Sequence, residues 1–130
     1  MIIFSGLRAA WVPVSFAAGS RVSNQPPAEL PGFAVTVTAE TVTVVLRGEF
    51  DVTSEGFLAE CLARLPLERP RRLVFAAALV TFIDCASARL IVGTDHLLPP
   101  GVKPVIARPS AIVRRVLQAS GLSARCVLSG

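Results

Sequence analysis

A chain of 130 residues provides one domain with a sizeable buried core and excludes a second catalytic domain. Apolar residues make up 52% of it and charged residues only 17%, which excludes an intrinsically disordered chain. Thirteen Lys and Arg residues against nine Asp and Glu give a net charge of +4, which is only a mild electrostatic bias.

Residues 1–32 are predicted to form an N-terminal extension, flexible or partly packed, that precedes a domain over residues 33–130. Arg8 interrupts the apolar run of this extension, and a segment rich in Pro, Ser, Asn and Gln follows. A secretory signal peptide is the less favoured alternative, because its basic residues would precede an unbroken apolar stretch. No stretch provides the ~18 to 20 apolar residues of a membrane span, so we expect a soluble protein without a membrane partner.

Two runs of β-branched residues, at 33–38 and 41–47, predict a β-hairpin around Ala39-Glu40. The pattern then changes to an apolar stripe with helical spacing, formed by Phe57, Leu58, Cys61, Leu62 and Leu65. Ser54 or Asp51 is expected to cap the start of this helix, and Pro66 is expected to end it.

An almost wholly apolar run at 72–76 is typical of a central strand that is covered on both faces. Phe82-Ile83-Asp84 leads into a helix predicted over about 85–97, which Pro99-Pro100-Gly101 ends. A short strand is predicted at 103–107.

Ser110 is expected to cap a last helix, which ends at Gly121. The apolar positions of this helix follow the 3.6-residue period: Ile112, Val113, Val116 and Leu117. A last strand fits residues 126–128. Because strands and helices alternate after the hairpin, we predict an α/β fold, a β-sheet with helices packed on it.

The three cysteines, Cys61, Cys85 and Cys126, contain no Cys-x-x-Cys pair for a zinc site or a redox dithiol. We therefore expect reduced thiols in a cytoplasmic protein. The single histidine, His96, excludes sites built from several histidines, and no metal or other cofactor is predicted. We expect a structural role for His96 near the negative end of a helix dipole.

The first candidate site is Gly48-Glu49-Phe50-Asp51, placed by the sequence in a strand-to-helix turn. Loops at the ends of strands commonly form recognition surfaces. The alternative is local: Gly48 permits a tight turn and Asp51 caps the following helix. The residue pattern alone favours this local explanation.

The second candidate site is Phe82-Ile83-Asp84-Cys85-Ala86-Ser87, in which an acid and small residues lie at the start of a helix. Unpaired backbone N–H groups and the positive dipole end at such a start favour an anion, a phosphorylated side chain or a thiolate. Asp84 would oppose thiolate formation by charge repulsion. An ordinary N-cap at Asp84, with small residues packed beneath a loop, is an equally open explanation.

The third signal is the pair Arg114-Arg115, with Arg108 and Arg125 nearby in sequence. Nucleic-acid binding would need these arginines on one face together with aromatic side chains for stacking. The only aromatic residues after Gly32 are phenylalanines, most of them in core-like positions. We therefore expect solvated arginines and no nucleic-acid partner.

Four segments in this order carry a family pattern: Leu46-Arg47-Gly48-Glu49-Phe50-Asp51-Val52, Arg72-Leu73-Val74-Phe75, Val80-Thr81-Phe82-Ile83-Asp84, and residues 108–122. Together they resemble the STAS domain family, the domain of bacterial anti-sigma factor antagonists, over about residues 33–128. The resemblance implies a single STAS-like domain with a mixed β-sheet and helices packed on one face. It also implies a protein that works by binding.

Family members of the antagonist type bind an ATP-using anti-sigma factor kinase and free the sigma factor that it holds. The kinase switches them off by phosphorylating a serine directly after the loop aspartate, which adds about −1.5 to −2 charges there. This sequence carries Cys85 at the phosphoacceptor position and Ser87 in place of a glycine. A thiol is not a substrate for a serine kinase. Ala76 and Ala78-Leu79 make the surface around the loop more apolar than is usual in the family.

The resemblance places partner-binding residues at Gly48, Glu49, Asp51, Thr53, Asp84, Cys85, Ala86, Ser87 and Arg89. We expect a bacterial, cytoplasmic, non-catalytic regulator of transcription that binds an anti-sigma factor kinase without phosphorylation at Cys85. Ser87 is the alternative phosphoacceptor.

A second hypothesis makes Cys85 a redox switch or places the partner outside the sigma pathway. An enzyme is disfavoured, because the chain has one histidine and no phosphate-binding glycine loop. A monomer or a weak homo-oligomer is expected.

Overall fold

The computed structural model describes residues 3–5, 8–10, 30–66 and 69–130. The described residues contain strands β1 to β7, which are Ile3–Ser5, Arg8–Ala10, Gly32–Thr38, Thr41–Phe50, Arg72–Ile83, Val105–Ala107 and Val127–Ser129. Helices α1 to α3 are Glu55–Ala63, Cys85–Val92 and Ala111–Ala119. Short 3-10 helices at Gly93–Leu97 and Leu122–Arg125 come after α2 and α3.

Five strands form one sheet in the order β3-β4-β5-β6-β7. β3 and β4 pair antiparallel, with Phe33 opposite Leu46 and Val37 opposite Val42. The later pairs in the sheet are all parallel. Parallel neighbours need a crossover connection, and α1, α2 and α3 supply one each. The expected hairpin, the mixed sheet and the α/β fold class are confirmed.

The core lies between the helices and one face of the sheet. Leu46 and Phe50 of β4 and Leu73 and Phe75 of β5 are among its fully buried side chains. Val74, which points to the other face, is only half-buried. The expectation that the central strand is covered on both faces is therefore wrong, because the helices pack on one side of the sheet.

Several element boundaries differ from the sequence-based expectation. β5 extends to Ile83 instead of ending at 76, and α1 ends at Ala63, before Pro66. The helix expected over 85–97 is α2 followed by the 3-10 helix Gly93–Leu97. Ser110 does precede α3, although its side chain makes no capping hydrogen bond.

β1 and β2 pair antiparallel as a separate two-stranded sheet near β3. The rest of the expected N-terminal extension, through residue 29, lies outside the described residues. Its flexible or partly packed character and the boundary at residue 32 therefore stay predictions. Within the described ranges, no helix is long and apolar enough to cross a membrane.

Two phenylalanines on β5 test which face of the sheet carries the core. Phe75 is 0% exposed and Phe82 is 42% exposed. We expect Phe75→Ala to lower the free energy of unfolding by about 3–5 kcal/mol, because it leaves a cavity in the core. Phe82→Ala is expected to cost less than about 1 kcal/mol. Urea unfolding measures both, and equal losses would contradict the assignment of the faces.

Candidate functional site

The candidate site lies where β4 and β5 end, at the carboxyl edge of the sheet. Gly48, Glu49 and Phe50 still belong to β4, so the expectation that they form a turn is wrong. Asp51 is the first residue beyond the strand. The pairing of β4 with β5 continues to the end of both strands, where Phe50 pairs in parallel with Ile83, the last residue of β5. The loops that follow the two strands therefore start side by side.

A close approach of the Leu30 main chain requires a glycine at position 48. Its φ is +87°, and a Cβ at this position would overlap the main-chain carbonyl group of Leu30. Leu30 lies just before β3, which pairs with β4. The glycine therefore accommodates the chain as it enters the sheet, and the local explanation of a tight turn at Gly48 is wrong.

Asp51 organises the turn that precedes α1. Its Oδ1 accepts hydrogen bonds from Thr53 Oγ1 at 2.6 Å and from Thr53 N at 2.9 Å. The bond from the Thr53 hydroxyl is the largest cause that lowers the pKa of Asp51, because it stabilises the charged carboxylate. This turn therefore presents a negative charge.

The expected side-chain cap of α1 is absent in the described residues. Ser54 occupies the N-cap position, but its Oγ donates to the Asp51 carbonyl at 3.2 Å and accepts from Asp51 N at 3.0 Å. Serine and aspartate side chains compete in this way for nearby backbone groups. Both candidates, Ser54 and Asp51, are therefore used within the turn.

Asp84 begins α2 and joins the second loop to the first. Its Oδ1 accepts a hydrogen bond from Ser87 N at 2.8 Å, which confirms the expected N-cap. Its own N–H donates to the Phe50 carbonyl at 3.0 Å. This bond extends the pairing of β4 with β5 and places Asp84 next to the turn that Asp51 organises.

Exposure differs sharply along the first turn of α2. Cys85 is exposed, Ala86 is half-buried and Ser87 is 0% exposed. The Ser87 Oγ is buried without a hydrogen-bond partner among the described residues. Arg89, one turn further along, is exposed. A partner therefore has access to the side chain at position 85, while the Ser87 hydroxyl is enclosed.

The three thiols also differ in accessibility. Cys61 and Cys126 are buried, and burial raises the pKa of both thiols, that of Cys61 to about 11. The thiolate is the reactive form of cysteine, so burial and the raised pKa both disfavour reaction at these two side chains. Cys85 is the exposed thiol of the three.

Carboxylates dominate the charge around the two loops. Glu49 is the next-to-last residue of β4. Asp51 and Glu55 lie at the turn into α1, and Asp84 precedes α2 as its N-cap. No ion pair joins any of these four to a lysine or arginine in the described part of the chain. The same part of the chain contains no group of three His, Cys, Asp or Glu that could hold a metal ion. With Arg89 as the exposed arginine on α2, the four carboxylates leave the site acidic on balance.

Large apolar side chains are exposed on β5 and in the turn that follows β4. Val52 is 74% exposed, Leu79 is 55% exposed and Phe82 is 42% exposed. The sequence indicated an apolar surface at Leu79 but not at Val52 or Phe82. The exposure of Phe82 depends on the register between β4 and β5, which residue patterns along the chain do not reveal, and Val52 lies in the turn beyond β4.

The remaining sequence candidates have separate environments. Arg114 and Arg115 are exposed on α3, and Arg125 forms an ion pair with Asp95 at 3.2 Å. His96 is exposed, with Nδ1 2.8 Å from the Gly93 carbonyl oxygen. The absence of a nucleic-acid partner stays a prediction.

This arrangement of sheet, helices and loops can be compared with known proteins. The family model of the STAS domain matches residues 33–127. The chain belongs to the STAS domain family. The match spans the five-stranded sheet from β3 to the start of β7, together with both loops of the site. The resemblance found in the sequence is confirmed.

Two solved anti-sigma factor antagonists are similar to this STAS domain. The one from Mycobacterium paratuberculosis has a TM-score of 0.66 and 18% identity, over 75% of this chain and 83% of that chain. SpoIIAA in its unphosphorylated form has a TM-score of 0.55 and 20% identity, over 75% of this chain and 88% of that chain. At these identities the likeness shows the fold alone. No curated protein matches the chain in sequence.

Alanine substitutions at two glycines test the close approach of the Leu30 carbonyl group to Gly48. We expect Gly48→Ala to lower the free energy of unfolding by about 1–3 kcal/mol, because alanine is strained at positive φ and its Cβ would meet the Leu30 carbonyl. Gly56, in α1, has open space around a Cβ, so Gly56→Ala is expected to raise stability by up to about 1 kcal/mol. Urea unfolding compares the two, and a neutral Gly48→Ala would contradict the backbone contact.

Proposed function

We propose that this STAS domain is a non-catalytic regulator of bacterial transcription. It binds an anti-sigma factor that is also a serine kinase, in the cytoplasm, and thereby frees a sigma factor. The contact surface comprises Gly48, Glu49, Asp51, Thr53, Asp84, Cys85, Ala86, Ser87 and Arg89. Gly48 is buried within β4 and Ser87 is buried in the first turn of α2, while the others reach the surface to different degrees.

The hydrogen bond from Asp84 N to the Phe50 carbonyl carries this proposal. It holds the Asp51 turn and the N-terminus of α2 together as one acidic surface, so a partner that contacts one loop also meets the other. The family match and the similarity in fold to two anti-sigma factor antagonists support an antagonist's partner for this surface.

Control by phosphorylation differs from the family pattern in this proposal. The accessible position after Asp84 carries the thiol of Cys85, which a serine kinase does not phosphorylate. Ser87 has a hydroxyl nearby, but it is 0% exposed and its N–H is held by Asp84. A kinase would have to open the first turn of α2 to reach it. The wild-type protein therefore binds without being phosphorylated at either position.

Capture from the cytoplasm of the source organism tests the partner. Full-length wild type is compared with Asp84→Asn, which removes the charge and keeps a good N-cap for α2. We expect the wild type to capture an anti-sigma factor kinase, and the variant to capture about three- to tenfold less. Mass spectrometry identifies the captured protein. Capture of no anti-sigma factor would refute the sigma-pathway function.

The phosphoacceptor position has its own test with the captured kinase and ATP. We expect wild type and Cys85→Ala to gain no phosphate, and Cys85→Ser to gain one at position 85, because that residue is exposed at the start of α2. Mass spectrometry of the intact chains and their peptides measures this. A phosphate on Ser87 of the wild type would show that the acceptor has moved within the loop.

The exposure of Cys85 favours a second function, a redox-regulated adaptor. Oxidation of a thiol by peroxide to a sulfenic or sulfinic acid adds polarity where the family carries phosphate. We expect mild peroxide to weaken partner capture severalfold for wild type and to leave Cys85→Ser unaffected. A sulfenic-acid probe should label wild type at Cys85. Equal capture by the wild type before and after oxidation would exclude this switch.

A further inference from the structure

The exposed side chains of Val52, Leu79 and Phe82 are outside the contact surface proposed above. We call these three residues the apolar patch. Leu79 and Phe82 lie on β5, and Val52 lies in the turn that follows β4. Phe82 is 42% exposed, Leu79 55% and Val52 74%. Large apolar side chains exposed on one face of a strand and in the adjoining turn of a small domain indicate an interaction surface.

Irregular pairing places Leu79 and Phe82 on the same side of the sheet. In a regular strand, residues three apart face opposite sides. β5 instead contains an extra residue at two points of its pairing with β4, and one of them falls between Val80 and Phe82. As a result, Leu79 lies beside Arg47 and Phe82 beside Glu49, two positions on the same face of β4.

The same irregularities keep the core intact on the opposite side. Val80 and Ile83 are 2% exposed and line the core together with Ala88 and Ile91 of α2. The strand thus anchors apolar side chains inside while it presents others outside. Leu79 and Phe82 of the apolar patch therefore lie on a strand whose other side chains are packed in the core. Less conformational entropy is lost on binding when the binding surface is already ordered.

Three carboxylates and one arginine, Arg47 beside Leu79, border the apolar patch, so its border is acidic on balance. Glu49 lies beside Phe82 in the sheet, Asp51 directly precedes Val52, and Asp84 follows Phe82 by two residues. None of the three carboxylates forms an ion pair with a described lysine or arginine. An apolar centre with an acidic border is complementary to apolar side chains bordered by basic ones.

We propose that the apolar patch binds a segment of the partner protein that presents one or two large apolar side chains flanked by Lys or Arg. The inference rests on the proposed function for the identity of the partner. It adds to the two loops a face of the sheet that the helices do not cover, and it makes Leu79 and Phe82 determinants of partner choice.

A titration with a defined peptide tests the chemistry of the patch. The probe is the blocked peptide acetyl-Arg-Leu-Arg-Phe-Arg-amide, added to the full-length chain and followed in two-dimensional amide NMR spectra. We expect shifts concentrated in residues 47–53 and 78–84. The same peptide with Glu in place of Arg is expected to cause none, because the acidic border would repel it.

Substitutions in the protein supply the matched controls. Leu79→Glu and Phe82→Glu are each expected to weaken peptide binding at least about tenfold, the effect of losing one large buried apolar contact. Val127→Glu introduces the same charge at an apolar side chain that is 47% exposed on β7, and it should leave binding unchanged. Unfolding curves confirm that each variant folds.

Three results would overturn the inference. The basic peptide could shift no amide in the two ranges at a few millimolar, or Val127→Glu could weaken binding as much as Phe82→Glu does. Shifts in residues 78–84 that depend on protein concentration without peptide would identify a second copy of this chain as the occupant instead.

The capture experiment separates this inference from the proposed function. If wild type and Phe82→Glu capture the same anti-sigma factor equally well, the proposed function holds and the inference fails. If no anti-sigma factor is captured while the peptide shifts map to the patch, the inference holds and the sigma-pathway function fails.

Discussion

The parallel pairing of β4 with β5, carried to the last residue of both strands, is the constraint on which the site depends. Phe50 pairs with Ile83, and the Asp84 N–H then donates to the Phe50 carbonyl at 3.0 Å. Backbone groups of this kind are seldom left unpaired, because the loss of a buried hydrogen bond is costly. The pairing therefore holds two loops from different parts of the chain in one relative position. Each loop is then closed locally, by Thr53 donating to Asp51 and by Ser87 donating to Asp84.

The irregularities in this pairing decide what the site presents. One extra residue in β5 changes the side of the sheet that every later side chain faces. β5 contains two such extra residues. As a result, Val80 and Ile83 fill the core while Leu79 and Phe82 face outward. Gly48 lies between the two irregular points, where Leu30 approaches too closely for any side chain. The two irregularities in the pairing of β4 with β5 thus determine both the shape of the sheet edge and the side chains on its surface.

Under the proposed function, this STAS domain keeps the docking surface and changes its control. The N-terminus of α2 offers backbone N–H groups and a positive dipole end, a place where an added phosphate is stabilised locally and opposed by nearby carboxylates. Because residue 85 is a cysteine, that position has no hydroxyl to accept a phosphate, and burial keeps the Ser87 hydroxyl inaccessible. A regulator of this kind depends on its abundance or on the state of its thiol. Apolar contacts at the edge of the sheet would then contribute to affinity that charge alone does not provide.

Features that arise within a few residues of one another could be predicted from the amino-acid sequence. The hairpin around Ala39-Glu40, the alternation of strands and helices, and the cap that Asp84 provides follow from side-chain periodicity and local hydrogen bonding. The order of these segments was also enough to show the family. The length of β5, the reason for Gly48 and the outward position of Phe82 became visible in the folded chain. These depend on the register between strands that are distant in the chain, and a shift of a single residue there exchanges the buried and exposed faces.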